Sequence, residues 1–519
     1  MKTDPCSSAV RRLLGSSRLN LALIGFLGCV VVYALRSDVS FAIVCMVNGT
    51  AVEALAETEG NLSGTVSKRI SSCGVRPIGE KAEDNSVSGE LVWSKKTQGY
   101  VLSAFFWGYM CSQVIGGYLA GRYGGKLVIG ITVFAGSILT FLSPAAAKTS
   151  AYAFIALRAL LGLFQGATFP AFHTIWSMWA PPLERSLLTG ITYAGAQIGN
   201  TLVMPLSGLL CKYGFNGGWP SVYYVLGKAG ILWCALWYFW ASDLPSSHRR
   251  ISQEEKNYIE DSLKEIMDRS KNNKIFPHQG FRSIIRFQKR PVPWRAIMTS
   301  LPVWALFVGH FAGDWGAYMM ATSLPLFMND VLGFDLTSLG FLSAIPYIAY
   351  FIFINIGGVV ADRLRHANVL STIATRRLAM IIALGGQGAF LIATGYCGCG
   401  QEPLVIVLLT LGIGISGVQY AGFVVNYLDI APTFAGPILG VGNTLSCIAG
   451  ILCPLLVGSL TPNGTKEEWQ IVFWITGAIL AFGTTFFCLF AKGEAQSWAL
   501  GSSKGEEEQE LKSKDASGD

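Results

Sequence analysis

Long apolar stretches dominate this sequence and limit what it can fold into. Twelve runs of mainly apolar residues follow one another along the chain, and each has about the 20 residues that a helix needs to cross a bilayer. Charged residues make up only 14% of the 519 residues, whereas a soluble domain has about a quarter. The sequence therefore predicts an all-α membrane protein with twelve transmembrane helices and excludes a soluble enzyme.

The predicted spans form two groups of six, with a polar connection between them. They lie near 19–47, 97–119, 127–147, 151–173, 186–210, 219–241, 300–324, 335–360, 377–396, 402–425, 436–459 and 469–491. This divides the chain into an arm (1–18), a first half (19–241) with a loop at 48–96, a connecting loop (242–298), a second half (299–492) and a tail (493–519). In the connecting loop, Ser252 precedes an amphipathic stretch that predicts a surface helix.

A short motif recurs at the ends of the second and eighth spans. It reads GGYLAGR from Gly116 to Arg122, and GGVVADR from Gly357 to Arg363. Duplicated six-span halves are the organisation of major facilitator transporters, which predicts that fold. We expect the glycines, Gly117 included, to allow close helix contact. We expect Arg122, Asp362 and Arg363 to link neighbouring spans in a cytoplasmic gate.

Basic residues predict the orientation of the chain. Lys and Arg collect in the arm, in the connecting loop and at 363–377, so both termini should be cytoplasmic. The sequons at Asn48, Asn61 and Asn463 then fall on the opposite side, where glycosylation occurs. Three cysteines fall on that side as well, and they leave one disulfide possible without fixing its pairing: Cys73, Cys397 and Cys399.

Two arginines stand inside otherwise apolar spans. Arg36 lies in the first span and Arg158 in the fourth. Permanent charges at this depth usually line a polar cavity and mark the path of a charged substrate. Together they predict an anion site, in which a guanidinium meets a carboxylate or phosphate by forked hydrogen bonds. The alternative is a structural arginine that satisfies helix-end carbonyls.

One stretch after the fourth span carries a family resemblance. The sequence WSMWAPPLERS, from Trp176 to Ser186 and including Glu184 and Arg185, resembles the signature of the family of sialin, type I phosphate transporters and vesicular glutamate transporters. Further matching stretches run through all the spans, and the wording is most similar to the sialin branch. The resemblance implies transport of organic anions or phosphate, driven by membrane potential, protons or sodium. Glu184 and Arg185 are further candidates for a structural or gating role.

The same resemblance assigns residues to the site. Arg36 and Arg158 match arginines of the family, and His173 fits its pattern as a candidate proton carrier. Gln165 departs from the pattern, because proton-linked relatives have a glutamate there and an amide cannot accept a proton. Two further departures argue against a glutamate carrier: Leu102 and Gly313 stand where the glutamate carriers have His and Arg.

Other charges within spans add candidates for ion coupling. Asp38 and Asp314 are carboxylates in the first and seventh spans, and Lys228 lies in the sixth. Either Asp could carry a coupling proton, or form a structural ion pair, such as Asp38 with Lys228. Asp38 is two residues from Arg36, so the two side chains point about 200° apart around the helix and do not simply neutralise each other.

A secondary transporter of organic anions that works by alternating access accounts best for these features. Gln165 favours membrane potential as the driving force, and Arg36, Arg158 and Gln165 are the predicted substrate residues. The overall sequence similarity instead favours proton-coupled sialic acid symport, and sodium/phosphate cotransport is also open. A channel or a non-transporting sensor is the second class. The predicted partners are the lipid bilayer, a small organic anion or phosphate, and a proton or sodium ion.

Other functional classes find little support in the sequence. The motif GIGISG from Gly412 to Gly417 resembles a dinucleotide loop but lies within a span, where small residues serve helix packing. The cysteines lack metal-ligand spacing and no basic stripe is interleaved with aromatics. We expect no enzyme activity, cofactor, metal or nucleic-acid partner. Plasma membrane and lysosomal or vesicular membrane are both open locations.

Overall fold

The structure is a computed structural model of the chain. It describes residues 13, 15–48, 51–52, 89–181, 184–272, 292–334, 336–397, 400–431 and 434–499. Twelve long helical segments stand where the sequence predicts spans, which confirms the predicted fold class. They are Ser17–Met46, Lys95–Tyr123, Gly125–Thr149, Ala151–Trp179, Arg185–Tyr213, Trp219–Trp240, Leu301–Leu332, Leu336–His366, Thr372–Tyr396, Glu402–Ile430, Ala435–Leu460 and Lys466–Phe490.

Hydropathy alone does not find all of these spans. Among the described residues, nine helices are long and apolar enough to cross a membrane. The second, fifth and seventh spans are the ones that fall short. Each of the three contributes polar side chains to a central cavity, such as Gln113, Asn200 and Asp314. A span that faces a polar cavity needs apolar residues only on its other face, so its mean hydropathy falls.

The two halves share an interruption in their fourth helix. The fourth span breaks between Gln165 and Thr168, and the tenth passes through a 3-10 turn at Gly417–Ala421. A repeated glycine packs against each break: a Cβ atom on Gly116 would overlap the Ala167 Cβ, and one on Gly357 would lie 3.2 Å from the Val418 Cα. The recurring motif therefore marks an equivalent close helix contact in each half.

The spans have two ends, and one of them adjoins the connecting loop; we call it the connector end. There Arg18 pairs with Glu184 (Nε to Oε2, 2.6 Å) and with Glu255 (Nη1 to Oε1, 3.0 Å). Glu255 also accepts a hydrogen bond from the backbone N–H of Ser17 (2.9 Å). Because Glu255 belongs to the helix Gln253–Asn272, these contacts fasten the predicted surface helix to the start of the first span.

The residues predicted to link neighbouring spans at the connector end do not form those links in the described structure. Arg122, Asp362 and Arg363 are exposed, and the described residues provide no ion pair for any of them. Arg122 donates instead to the Tyr118 hydroxyl (3.2 Å). The fifth span begins at Arg185, whose side chain lies outside the described part of the structure.

The opposite end, which we call the latch end, holds the halves together. Lys95 Nζ lies 2.7 Å and 2.6 Å from the two carboxylate oxygens of Asp330, and Trp469 donates to the same carboxylate (3.4 Å). Lys95 begins the second span, whereas Asp330 lies near the end of the seventh. This ion pair therefore joins the first half to the second.

A disulfide and two of the three sequons also lie at the latch end. Cys45 and Cys211 form a disulfide between the first and fifth spans, with their Cα atoms 6.3 Å apart. Cys397, which the sequence offers as a candidate, is a free thiol. Asn48 follows the first span and Asn463 precedes the twelfth. Cys73, Cys399 and Asn61 lie outside the described residues.

Candidate functional site

A cavity of about 1390 Å³ lies between the two halves. Its walls reach from the middle of the first span to residues near the connector end, such as Gly121, Ser177 and Gly440. The pair of Lys95 and Asp330 closes the halves at the latch end. The cavity is therefore open toward the connector end, which is the arrangement expected for one state of an alternating-access carrier.

Arg36 lies at the inner part of this cavity with aromatic rings around it. Its Cζ atom is between 4.9 and 5.5 Å from the centroids of five rings: Tyr33, Phe105, Phe106, Tyr109 and Tyr318. Aromatic faces attract a cation without neutralising it. The described residues offer the Arg36 guanidinium no carboxylate within ion-pair distance. A cation in a partly dry cavity that contacts no carboxylate is a candidate binding site for an anion.

Arg158 is placed differently from Arg36. Its Nη1 donates to Asp38 Oδ1 (3.0 Å) and its Nη2 to the Arg36 carbonyl (2.7 Å). The Arg158 and Asp38 side chains are 1% and 0% exposed, so each neutralises the other away from solvent. Arg158 thus fastens the fourth span to the first, beside Arg36. Lys228, the other partner considered for Asp38, is exposed on the sixth span.

Gln165 does not reach the cavity wall. It is buried at 1% exposure, and the described residues give neither of its amide atoms a hydrogen-bond partner. It lies beside Gly136 of the third span, where an added Cβ atom would lie 3.6 Å from the Gln165 Nε2. The residue shares a helix face with Arg158, as the sequence predicts, but that face turns toward the first and third spans.

The second half contributes a carboxylate to the cavity. Asp314 lines it, and His310 Nε2 lies 3.4 Å from Asp314 Oδ2. The other ring nitrogen of His310 is 3.1 Å from the Tyr427 hydroxyl, and its ring stacks on Phe423 at 4.6 Å. Sequence reasoning identified Asp314 but missed His310. The spacing of four residues on one helix was the available signal, because it places the two side chains on the same face.

Two buried amides complete the wall of the second half. Gln387 and Gln419 line the cavity and are 1% and 2% exposed. Within the described part of the chain, neither amide atom of Gln387 has a hydrogen-bond partner, and Gln419 Oε1 has none either. Gln419 Nε2 donates to the Tyr350 hydroxyl (3.3 Å). Unpartnered buried amides are costly, so a polar ligand that reached them would satisfy their hydrogen-bonding capacity.

His173 lies at the mouth of the cavity. It is exposed, and its ring is 5.3 Å from that of Tyr193. Its fourth-span helix, Thr168–Trp179, runs toward the connector end. The structure therefore separates His173 from the aromatic cage around Arg36.

Comparison with known proteins agrees with this architecture. Residues 82–454 match the Major Facilitator Superfamily. A solved bacterial homologue of the human lysosomal transporter Spinster, inward-facing and unoccupied, has a similar fold. The TM-score is 0.64 at 13% identity, covering 91% of this chain and 96% of that one.

Closer relatives match along nearly the whole sequence. The chain is 53% identical to the transporter slc-17.2 of Caenorhabditis elegans, covering 94% of each protein. It is 41% identical to human sialin, over 93% of this chain and 91% of sialin. It is 35% identical to bovine vesicular glutamate transporter 2, over 93% of this chain and 75% of that protein. The chain therefore belongs to the major facilitator superfamily and, within it, to the transporter family of sialin, the inorganic phosphate cotransporters and the vesicular glutamate transporters.

Proposed function

We propose that this transporter carries small organic anions and that Arg36 is the group that binds them. The observation that carries the proposal is the placement of Arg36, a cation without a carboxylate partner among the described residues, at the cavity between the halves. A guanidinium offers a carboxylate two parallel hydrogen bonds, and these bonds are stronger where water is excluded. The rings of the cage hold the guanidinium plane and exclude water from one side.

Arg158 and Gln165 act on the substrate indirectly in this proposal. Arg158 positions the first span through Asp38 and through the carbonyl of Arg36. Gln165 stands two helical turns further along the same helix and keeps the fourth span uncharged at that point. Removing Arg158 would displace Arg36 rather than remove a substrate contact.

Alternating access follows from the asymmetry between the two ends. The connector end is cytoplasmic by its basic loops, so the described state is open to the cytoplasm. Closure there would bring together the exposed gating residues of the two motifs, Arg122, Asp362 and Arg363, while the pair of Lys95 and Asp330 separates at the latch end. We include Gly117, Glu184 and Arg185 in this gate because they lie on the segments that would move.

Membrane potential is the proposed driving force. One charge that crosses the full potential gains about 2.3 kcal/mol per 100 mV, which concentrates a monovalent anion roughly fortyfold. Of the three candidates for a coupling proton, Asp38 is paired with Arg158 and His173 lies at the mouth of the cavity. Asp314 alone faces the cavity beside the cage. It supports the second candidate function, proton-coupled symport of the sialin kind.

Uptake into proteoliposomes tests the proposal. Labelled sialic acid, urate, glutamate and phosphate would be supplied with a pH gradient, a sodium gradient or a voltage imposed separately. We expect saturable uptake of at least one organic anion, driven by voltage, and its loss in Arg36→Lys because a lysine lacks the planar fork. The matched control is Lys228→Ala, which removes an exposed cation from the same half. Wild-type uptake in Arg36→Lys would refute the proposal, and pore-like, non-saturable flux would indicate a channel.

Orientation and location belong to the same proposal. We place both termini in the cytoplasm and the protein in the plasma membrane or a lysosomal or vesicular membrane, without an enzymatic role. A glycosidase should then increase the electrophoretic mobility of the protein, and replacing Asn48, Asn61 and Asn463 by Gln should abolish the change. Glycosylation of a sequon introduced into the connecting loop would reverse the assigned orientation.

A further inference from the structure

The charges that face the cavity, counted together with the buried partner of Arg158, sum to zero. In the described part of the chain, Arg36, Arg158 and Asp314 are the Lys, Arg, Asp or Glu residues that line it. Arg158 is neutralised by Asp38. What remains is one cation from the first half and one carboxylate from the second, and the two do not form an ion pair with each other. A substrate in this cavity therefore meets an attractive and a repulsive charge together.

The neighbours of Asp314 leave its negative charge in place. His310 contacts Asp314 through Nε2 and Tyr427 through Nδ1. A neutral imidazole satisfies both contacts, because Nε2–H donates to the carboxylate while Nδ1 accepts from the Tyr427 hydroxyl. The ring is buried at 4% exposure and stacks on Phe423. The Asp314 side chain itself is 22% exposed, toward the cavity.

The wall beside Asp314 carries amides instead of a second cation. Gln419 fills the space next to Gly313, so that a Cβ atom there would overlap its Oε1. An arginine at position 313 would have to displace this amide. The unpartnered atoms of Gln387 and Gln419 can hydrogen-bond a neutral polar group, but they supply no charge to hold a second negative group.

We propose that Asp314 restricts this transporter to monovalent organic anions and excludes dianions such as dicarboxylates and hydrogen phosphate. The inference rests on the proposed function, since it requires the single negative group to bind at Arg36. The rest of the substrate, which is neutral and polar, then faces Gln387 and Gln419. A second negative group on the substrate would face Asp314 without a compensating cation and would be repelled.

Matched inhibitors measure this selectivity. The probes are straight-chain dicarboxylates of four to six carbons and their monoamides, which keep the length and polarity but replace one carboxylate by an uncharged amide. Each would compete with uptake of the anion that the proteoliposome panel identifies. We expect the best monoamide to inhibit at least tenfold more strongly than its dicarboxylate, which is about 1.4 kcal/mol.

Substitutions at Asp314 assign the effect to this residue. Asp314→Asn should reduce the tenfold preference to less than about threefold by improving dicarboxylate binding, whereas Asp314→Glu keeps the charge and should retain the preference. The control is Glu467→Gln, which removes an exposed carboxylate from the same half. It should change neither the inhibition by the dicarboxylate nor the inhibition by the monoamide. Equal inhibition by both probes in the wild type, an unchanged preference in Asp314→Asn, or no inhibition by any monoamide would overturn the inference.

The Arg36→Lys variant separates this inference from the proposed function. If inhibition in that variant matches the wild type, the anion does not bind at Arg36 and the proposed function fails. If Arg36→Lys loses uptake while Asp314→Asn leaves the preference unchanged, only the inference about Asp314 fails.

Discussion

The two halves of the protein share a framework and differ in the charges it carries. The fourth and tenth spans both begin with a helix of 15 residues, Ala151–Gln165 and Glu402–Ser416. The eighth residue is Arg158 in the first helix and the buried Leu409 in the second. The second half therefore folds without an ion pair at this position. This indicates that the fold does not require Arg158 and Asp38, and that the first half keeps them to position the span that carries Arg36.

The largest expected effect comes from breaking that pair. Arg158→Leu copies the residue of the second half but leaves Asp38 buried without a partner, which should cost about 3–5 kcal/mol of unfolding free energy. The double variant Arg158→Leu with Asp38→Leu should recover most of the stability, because both charges are gone. Denaturation of the purified proteins in detergent measures both values. If the single variant is as stable as the double, the two side chains do not depend on each other.

The double variant also tests whether the fourth span can function with the same residues as the tenth. It makes the fourth span resemble the tenth, so the fold should survive while the first span loses the hydrogen bond to the Arg36 carbonyl. We expect weaker uptake in a protein of near-normal stability. Normal uptake would show that Arg158 and Asp38 are not needed to position Arg36.

A smaller effect is expected where the halves meet at the latch end. Lys95→Ala removes a partly buried ion pair, worth about 1 kcal/mol, and should shift the population several-fold toward the state open at that end. A cysteine introduced at Val457, which is buried near this end, should then react faster with a membrane-impermeant thiol reagent supplied from that side. The exchange of charges, Lys95→Asp with Asp330→Lys, should restore the slower reaction.

The neighbouring lysine provides the control for that experiment. Lys96→Ala removes an exposed cation one residue away and should leave labelling at the wild-type rate. Equal acceleration by Lys95→Ala and Lys96→Ala would show that net charge, and not the contact with Asp330, sets the rate.

The smallest and most specific prediction concerns Gln165. Gln165→Glu places a protonatable group in the buried face of the fourth span and should introduce or strengthen dependence of uptake on an inward proton gradient. Gln253→Glu, on the exposed connecting helix, is the matched control. Accumulation by the native protein from a pH gradient, with the voltage held at zero, would contradict the proposed drive; loss of that activity in Asp314→Asn would then place the proton on Asp314.

The sequence predicted the features that depend on composition. Apolar length located the twelve spans, and the repeated motif located the two halves. Arg36, Arg158, Asp38 and Asp314 stood out because charge is rare within spans. None of these features depends on which helices contact each other.

The sequence did not predict the features that depend on contacts between spans. Lys95 and Asp330 are 235 residues apart and lie at span ends, where charges are common, so nothing linked them. The pairing of Arg158 with Asp38, and the position of Gln165 away from the cavity, depend on the rotation of the fourth span against the first and third. The aromatic cage was hidden for another reason: 12% of the chain is aromatic, so single rings carry no signal.

The affinity of purified Arg36→Ala for the transported anion shows whether the first half binds the anion at Arg36. In this proposal Arg158 only positions the span that carries Arg36. Equilibrium binding in detergent, with Lys228→Ala as the control, separates binding from transport. Two charge-assisted hydrogen bonds would be lost, so the account predicts a Kd raised about 100-fold or more in a protein that remains folded. A Kd within about twofold of the wild-type and control values would contradict it.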